Sequence, residues 1–314
     1  MEKARSVIKH TWELALDPAA VAAKLSKSAA KITAPKRKPT SSTWDLPYLF
    51  QFLFEHKLDT VNALKLKDFT AHVLRLLKGL SGWRTDDLTH LFVQNGIKFH
   101  EDDSAVDLRL FDIKNYKNKW TPWVNFPRLH DDFASLCLVR LLRLLLNRQQ
   151  AFQRPSVEVI SPERGSNTVI RDEPVFVFIK NGERTASPYK PATLANFFAK
   201  GFLANVRTGP GTTLKSDYGA HSCRHAVVSA LHDMQVSLTD ISSMTLNTPS
   251  TLETRYLMAV KREWPLPVEC CAQQPNLPLK LLMPFVHHFY TEGDGALGDG
   301  KCKCSQIAFK ASKE

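Results

Sequence analysis

His221-Ser-Cys-Arg224-His225, followed downstream by a lone tyrosine in Thr251-Leu-Glu-Thr-Arg-Tyr256, decides how the rest of this chain is read. Residues three apart share one face of a helix, so His221 and Arg224 point the same way. That pair can hold two oxygens of a single phosphate and leave room for a nucleophile from elsewhere in the chain. Tyr256 is the candidate nucleophile. The apolar continuation Ala226–Leu231 makes the helix a buried one.

Working upstream, Leu76-Leu-Lys-Gly-Leu-Ser-Gly82-Trp-Arg84-Thr-Asp-Asp87-Leu88 reads as a helix, a glycine turn, then an arginine and a carboxylate. Phe69, Val73, Leu76, Leu77 and Leu80 follow helical spacing and stop at Ser81-Gly82. Between the two segments, Val106, Leu108 and Leu110 alternate with Asp107, Arg109 and Asp112, the two-residue period of a half-buried strand. The polar run Lys114–Lys119 reads as a turn into a return strand at Trp120–Phe126.

These segments, in this order, resemble the signature boxes of the tyrosine recombinases, the phage-integrase superfamily, over roughly residues 44–262. The resemblance implies DNA cleavage through a protein–DNA phosphodiester. That chemistry needs a nucleophilic hydroxyl, cationic donors for the non-bridging oxygens, an acid for the 5′-hydroxyl leaving group, and a group that orients or deprotonates. Arg suits the donor role because its planar fork makes charge-assisted bonds to phosphate and stays protonated, and no metal is needed.

Carried over residue by residue, the resemblance makes Arg84 the first phosphate-binding arginine and Asp87 the carboxylate that orients it. It makes Arg224 the second arginine and Tyr256 the nucleophile. His221 donates to phosphate or helps deprotonate the tyrosine, and His225 packs and orients. The acid is a lysine of the 106–126 hairpin: Lys114 fits best, with Lys117 and Lys119 as competitors, since hairpin register is not fixed by one sequence. Lys117, Lys119 and Arg255 are otherwise candidates for DNA contact. The family places a His or Trp nine positions before the tyrosine, and Asn247 stands there instead. The usual preceding glycine is replaced by Leu246. An Asn can still donate a hydrogen bond. Two readings follow: an enzyme of DNA recombination and integration, or a catalytically decayed DNA-binding protein derived from one. A relaxing topoisomerase shares the same chemistry. Thr43-Trp-Asp-Leu46 is similar to the recombinases of eukaryotic DIRS-like retroelements, which implies mobile-element recombination. The partners implied are double-stranded DNA and further copies of the chain in a synapse. No cofactor is implied.

Composition agrees with this. The 314 residues carry a formal charge of +11, which favours a polyanionic partner. Hydrophobic content of 43% and charged content of 23% are ordinary for a globular protein. No apolar run is long enough to cross a membrane, and the N-terminus lacks the apolar core of a secretory signal. Cysteines 137, 223, 270, 271, 302 and 304 are scattered, as in a reducing compartment. Cys302-Lys-Cys304, with Cys270-Cys271 and His287-His288, has no usual structural-zinc spacing. Pro35-Lys-Arg-Lys-Pro39 reads either as a nuclear import signal, placing the protein in the nucleus, or as a solvated basic linker.

The expected class is α+β and mainly helical, with a small antiparallel sheet. Residues 1–43 are a truncated helical core-binding segment (Asp17-Pro18 starting a helix over 19–31) and a basic linker. Residues 44–262 are the catalytic domain and 263–314 a C-terminal extension. Further helices are predicted from Thr85 through Phe92, over Asp131–Arg148, Pro191–Val206, His221–Met234 and Ser237–Met244. Two more are predicted around Thr251–Val260 and near Leu277–Tyr290, and Pro174–Ile179 is β-rich.

Overall fold

Leu66, Phe69, Val73, Leu76, Leu77 and Leu80 are all buried, and they build the helix on which the others rest. The computed structural model describes residues 42–55, 63–150, 157–163, 166–209, 212–261 and 274–291. The chain divides into units of residues 1–40 and 41–314, and every described residue belongs to the second. The 19–31 helix, the Pro35–Pro39 segment and cysteines 270, 271, 302 and 304 lie outside the described residues.

The order is β1 (Ser42–Trp44), α1 (Pro47–Phe54), α2 (Leu66–Ser81), α3 (Thr85–Leu88) and α4 (Val93–Gly96), then β2 (Ile97–Phe99), β3 (Ala105–Leu108), β4 (Phe111–Ile113), β5 (Tyr116–Trp120) and β6 (Val124–Pro127). A 3-10 turn (Asp131–Leu136) leads into α5 (Leu138–Arg148). The hairpins β7 (Val157–Glu163) with β8 (Ser166–Asp172) and β9 (Val177–Lys180) with β10 (Glu183–Pro188) follow. Then come α6 (Pro191–Phe198), a π-turn (Ala199–Leu203), β11 (Arg207–Gly209), β12 (Thr212–Thr213), α7 (Leu214–Asp217) and α8 (Ser222–Asp233). The last elements are α9 (Leu238–Thr245), α10 (Pro249–Arg255), β13 (Ala259–Lys261) and α11 (Leu277–Thr291). The class is α+β with small sheets, antiparallel except for one pair.

α2 packs against α1, α5, α6, α8 and α11. Only residues that pack on all sides survive at its centre, which is why 13 of its 16 residues are buried, Lys78 among them. The helix ends at Gly82, whose φ of +65° is left-handed. A Cβ there would lie 2.9 Å from Val227 Cγ1 and 3.3 Å from Thr245 Cγ2. The glycine therefore serves twice: it turns the chain without strain, and it lets α8 and α9 approach the turn.

Several boundaries differ from those the sequence predicts, each for a tertiary reason. The helix predicted from Thr85 through Phe92 stops after one turn. Beyond it, Val175 N donates to Leu91 O (2.9 Å) and Val93 N to Glu173 O (2.8 Å), so residues 91–93 run extended against 173–175. Asp172, fully buried, then caps α4 by accepting from Gln94 N and Asn95 N, both at 2.8 Å. Asp131–Arg148 is two helical pieces, because Cys137 is extended (ψ 100°) and its Sγ accepts from Leu129 N at 3.3 Å. The helix expected to reach Val260 ends at Arg255, since Ala259–Lys261 pair in parallel with Ser42–Trp44. Ser42 and Thr43, read as linker, are thus strand. The Val157–Asp172 hairpin was not predicted at all.

The Lys114–Lys119 segment also needs correction. The turn is only Lys114-Asn115, and Lys117 and Lys119 belong to strand β5, which pairs with β4. β3 pairs instead with β2 and β6. Asp112 and Asn118 take φ values of +51° and +57°, and Asn118 N donates to Asp112 Oδ1 (2.9 Å). This bond crosses the hairpin between two left-handed positions, a backbone conformation that Asp and Asn tolerate better than β-branched residues.

Candidate active site

Segments from α2, α3, α9 and α10 converge on Arg224. Its side chain is fully buried beneath the α2–α3 turn. Nη1 donates to Gly82 O (2.9 Å) and Nη2 to Thr245 O (2.7 Å), so one guanidinium ties the α2 terminus to the α9 terminus. The Tyr256 ring lies under Arg224, with Cζ 5.1 Å from its centroid. Burial first, then the neighbouring Arg84 charge, pulls the Arg224 pKa down to about 10, which leaves it cationic at neutral pH.

Arg84 caps α3. Its backbone N donates to Asp87 Oδ2 (3.3 Å), Nη1 stands 3.7 Å from the same carboxylate oxygen, and Nη2 donates to Asn247 Oδ1 (3.1 Å). Asp87 is 4% exposed; burial pushes its carboxyl up, and the Arg84 and Arg224 charges oppose that. Two buried guanidinium nitrogens, Arg84 Nη1 and Arg224 Nε, make no protein hydrogen bond, although Arg84 Nη1 keeps its 3.7 Å ion pair with Asp87 and Arg224 feels the Tyr256 side chain. Buried charged donors left in that state are costly unless a ligand completes them.

His221 precedes the first turn of α8, with its ring 5.4 Å from His225 and 5.7 Å from Tyr256. The His225 and Tyr256 rings are 4.9 Å apart. His221 is exposed as a residue, yet desolvation on the side of its ring that faces the cluster, followed by the charges of His225, Lys78, Arg224 and Arg84, lowers its pKa to about 4. His225 is also lowered, chiefly by burial, with a backbone bond to Tyr256 opposing. Both imidazoles are neutral at pH 7.

Tyr256 itself is buried and closes α10. Its carbonyl accepts from Ser229 Oγ (3.2 Å), and Met258 N donates back to that oxygen (3.0 Å), so α8 holds the tyrosine's backbone from both sides. Trp44, on the strand paired with β13, donates its indole N–H to Ser222 Oγ (2.8 Å) beside His221. The Thr43–Leu46 motif therefore braces the site helix.

Asn247 is half-buried and its carboxamide is already engaged. Oδ1 takes the Arg84 bond and Nδ2 donates to Thr245 Oγ1 (3.3 Å). In this geometry it holds one end of the Arg84 guanidinium. Leu246 before it sits at φ +56°, a left-handed position that glycine fills without the strain of roughly 1 kcal/mol that a branched side chain bears.

Arg84, Asp87, His221, Arg224, His225, Asn247 and Tyr256 thus form one cluster. The lysines do not join it directly. Lys114, Lys117 and Lys119 are exposed, and Lys117 Nζ lies 3.8 Å from Asp112. The turn itself is tethered, since Asn115 Nδ2 donates to Leu246 O (2.9 Å), one residue before Asn247. Arg255 is exposed at the end of α10, one residue from the tyrosine.

Lys78 was missed. It is 1% exposed, and its charge is among those felt by His221. The signal was present: a lysine one helical turn after Leu74, inside an otherwise apolar repeat. Among the described residues there is no cluster of metal-ligating side chains and no helix long and apolar enough to cross a membrane. His287 and His288 are half-buried in α11. In comparison with known proteins, no family model and no curated protein matches the chain.

Proposed function

We propose that this chain breaks and rejoins DNA in the manner of the tyrosine recombinases, with a scissile phosphate held by Arg84 and Arg224. One observation carries the reading. A fully buried Arg224 and a half-buried Arg84, from different segments, each keep one nitrogen without a protein hydrogen bond, and the Tyr256 ring lies under Arg224. Such a cluster asks for a tetrahedral anion, and the side chain beside it is a hydroxyl nucleophile.

In the proposed reaction the Tyr256 oxygen attacks phosphorus, and the bond to the 5′ oxygen breaks. The product is a 3′-phosphotyrosyl link and a free 5′-hydroxyl. The tyrosyl proton passes to neutral His221, and Lys114 protonates the leaving oxygen. Charge building on the phosphorane falls to donors fixed before reaction, the arrangement in which hydrogen bonds lower a barrier most. Attack by another strand's 5′-hydroxyl reverses the step and exchanges DNA.

A suicide duplex that loses its 5′-hydroxyl fragment after cleavage tests this. Wild type should accumulate a covalent adduct and Tyr256→Phe none. An adduct-free wild type, or an undiminished Phe variant, sinks the proposal. The second reading, a non-catalytic DNA-binding protein, is favoured by Asn247, whose carboxamide is spent on Arg84 and Thr245. Salt-dependent duplex binding without adduct selects it.

A further inference from the structure

Lys78 occupies a core position of α2 but carries a charge. Its ammonium donates to Trp83 O (3.3 Å) and Thr85 Oγ1 (3.1 Å), the two residues that flank Arg84 in sequence. One cation thus grips the chain on both sides of another. The groups that face it are His221, Cys223 and Arg224 at the start of α8, Asp86 and Asp87 from α3, and the Phe198 ring of α6 at 5.7 Å. No carboxylate lies within ion-pair distance of it among the described residues, and the Cys223 thiol, pushed up to about 12 by burial, supplies no counter-charge.

A buried ammonium without a counter-ion is a poor way to stabilise a fold. An apolar side chain of the same length would pack there at less cost, since desolvating a charge outweighs two bonds to neutral oxygens. The charge is therefore explained better by what binds beside it. We propose that Lys78 is a positioning residue that fixes Arg84 by holding both its neighbours, and that its charge is balanced only when an anion occupies the Arg84–Arg224 site. This rests on the phosphate reading above, but not on cleavage.

The consequence is an opposition between stability and binding that a purely structural lysine would not produce. Lys78→Met keeps the length and removes the charge. It should leave the melting temperature unchanged or raise it, while weakening inorganic phosphate binding about tenfold, roughly the worth of one charge-assisted contact. Burial lowers the Lys78 pKa. Wild-type affinity should therefore fall on the alkaline side as Lys78 loses its proton below the ordinary lysine range, and the Met variant should show a flatter profile. Thr85→Val, which removes one of the two acceptors at a half-buried position, should weaken phosphate about threefold in the same direction.

Titration calorimetry with inorganic phosphate at fixed ionic strength, paired with thermal unfolding, decides the matter. A Met variant with wild-type affinity and wild-type pH profile overturns the proposal, as does one that melts several degrees lower. A wild type that binds no phosphate overturns it together with the site reading. A wild type that binds phosphate with the predicted pattern yet forms no adduct upholds Lys78 and removes the enzyme.

Discussion

Arg224 and Lys114 are cations assigned to the same phosphate, yet they are built in opposite ways. Arg224 is fully buried, and two backbone carbonyls fix its guanidinium. Lys114 stands exposed on a two-residue turn that a single side-chain bond from Asn115 ties to the Leu246 carbonyl. In the proposed reaction the donor that must be in place before charge develops is the one locked into the core. The group proposed to deliver a proton late is the one on the surface, where its stem can reorient at little cost. Asn247 lies on the boundary, tied to Arg84 on one side and next to the tethered turn on the other.

The sharpest way to break this contrast is to spoil the buried half. Arg224→Lys keeps a charge but cannot bridge the Gly82 and Thr245 carbonyls, so adduct formation on the suicide duplex should fall about 10²–10³-fold. If the Lys variant keeps more than a tenth of the wild-type rate, the locked arginine is not the phosphate donor. Gly82→Ala attacks the same half through the backbone. A left-handed alanine with its Cβ 2.9 Å from Val227 should cost about 2–4 kcal/mol of stability, read as a lower denaturant midpoint at unchanged m-value.

On the exposed half, Lys114→Ala should slow cleavage about 10²-fold while shifting stability by no more than about 0.5 kcal/mol. Replacing the bridging 5′ oxygen by sulfur, a leaving group that needs no acid, should restore that variant. Rescue of Lys117→Ala or Lys119→Ala instead would reassign the acid. If they serve DNA contact, those two should each lower the salt slope of duplex binding by about one unit.

The smallest effect concerns pH. The folded pKa of His221, about 4, lies below the ordinary imidazole value of 6.5, so the unfolded chain takes up that proton first. Stability should therefore fall as pH drops from about 6.5 toward 4, and His221→Asn should flatten that slope. Equal slopes in the two proteins would mean that desolvation and the neighbouring cations do not hold His221 neutral.

Much of this was legible in the chain. α2 and its glycine stop follow from a 3-4 apolar repeat and a residue free to turn left-handed. The His221–Arg224 face follows from helical spacing alone. The strand at 259–261 was not legible, because its partner, Ser42–Trp44, lies more than two hundred residues away and three residues carry no periodicity. The break at 89–92 was hidden for the same reason: the hydrogen bonds that compete with the helix come from residues 173 and 175. The hairpin register depended on left-handed Asp112 and Asn118, which a count of polar residues cannot place.

The sequence by itself determined the α+β class, the central helix, and the residue types and order of the candidate site. Only the tertiary structure decided that Arg84, Arg224, His221, Asn247 and Tyr256 share one cluster, that Asn247 holds one end of the Arg84 guanidinium, and that Lys78 is its buried neighbour. Spacing along a chain fixes local faces within a turn or two of helix. Burial, desolvation and the carbonyls that hold a guanidinium come from segments whose meeting no local rule encodes.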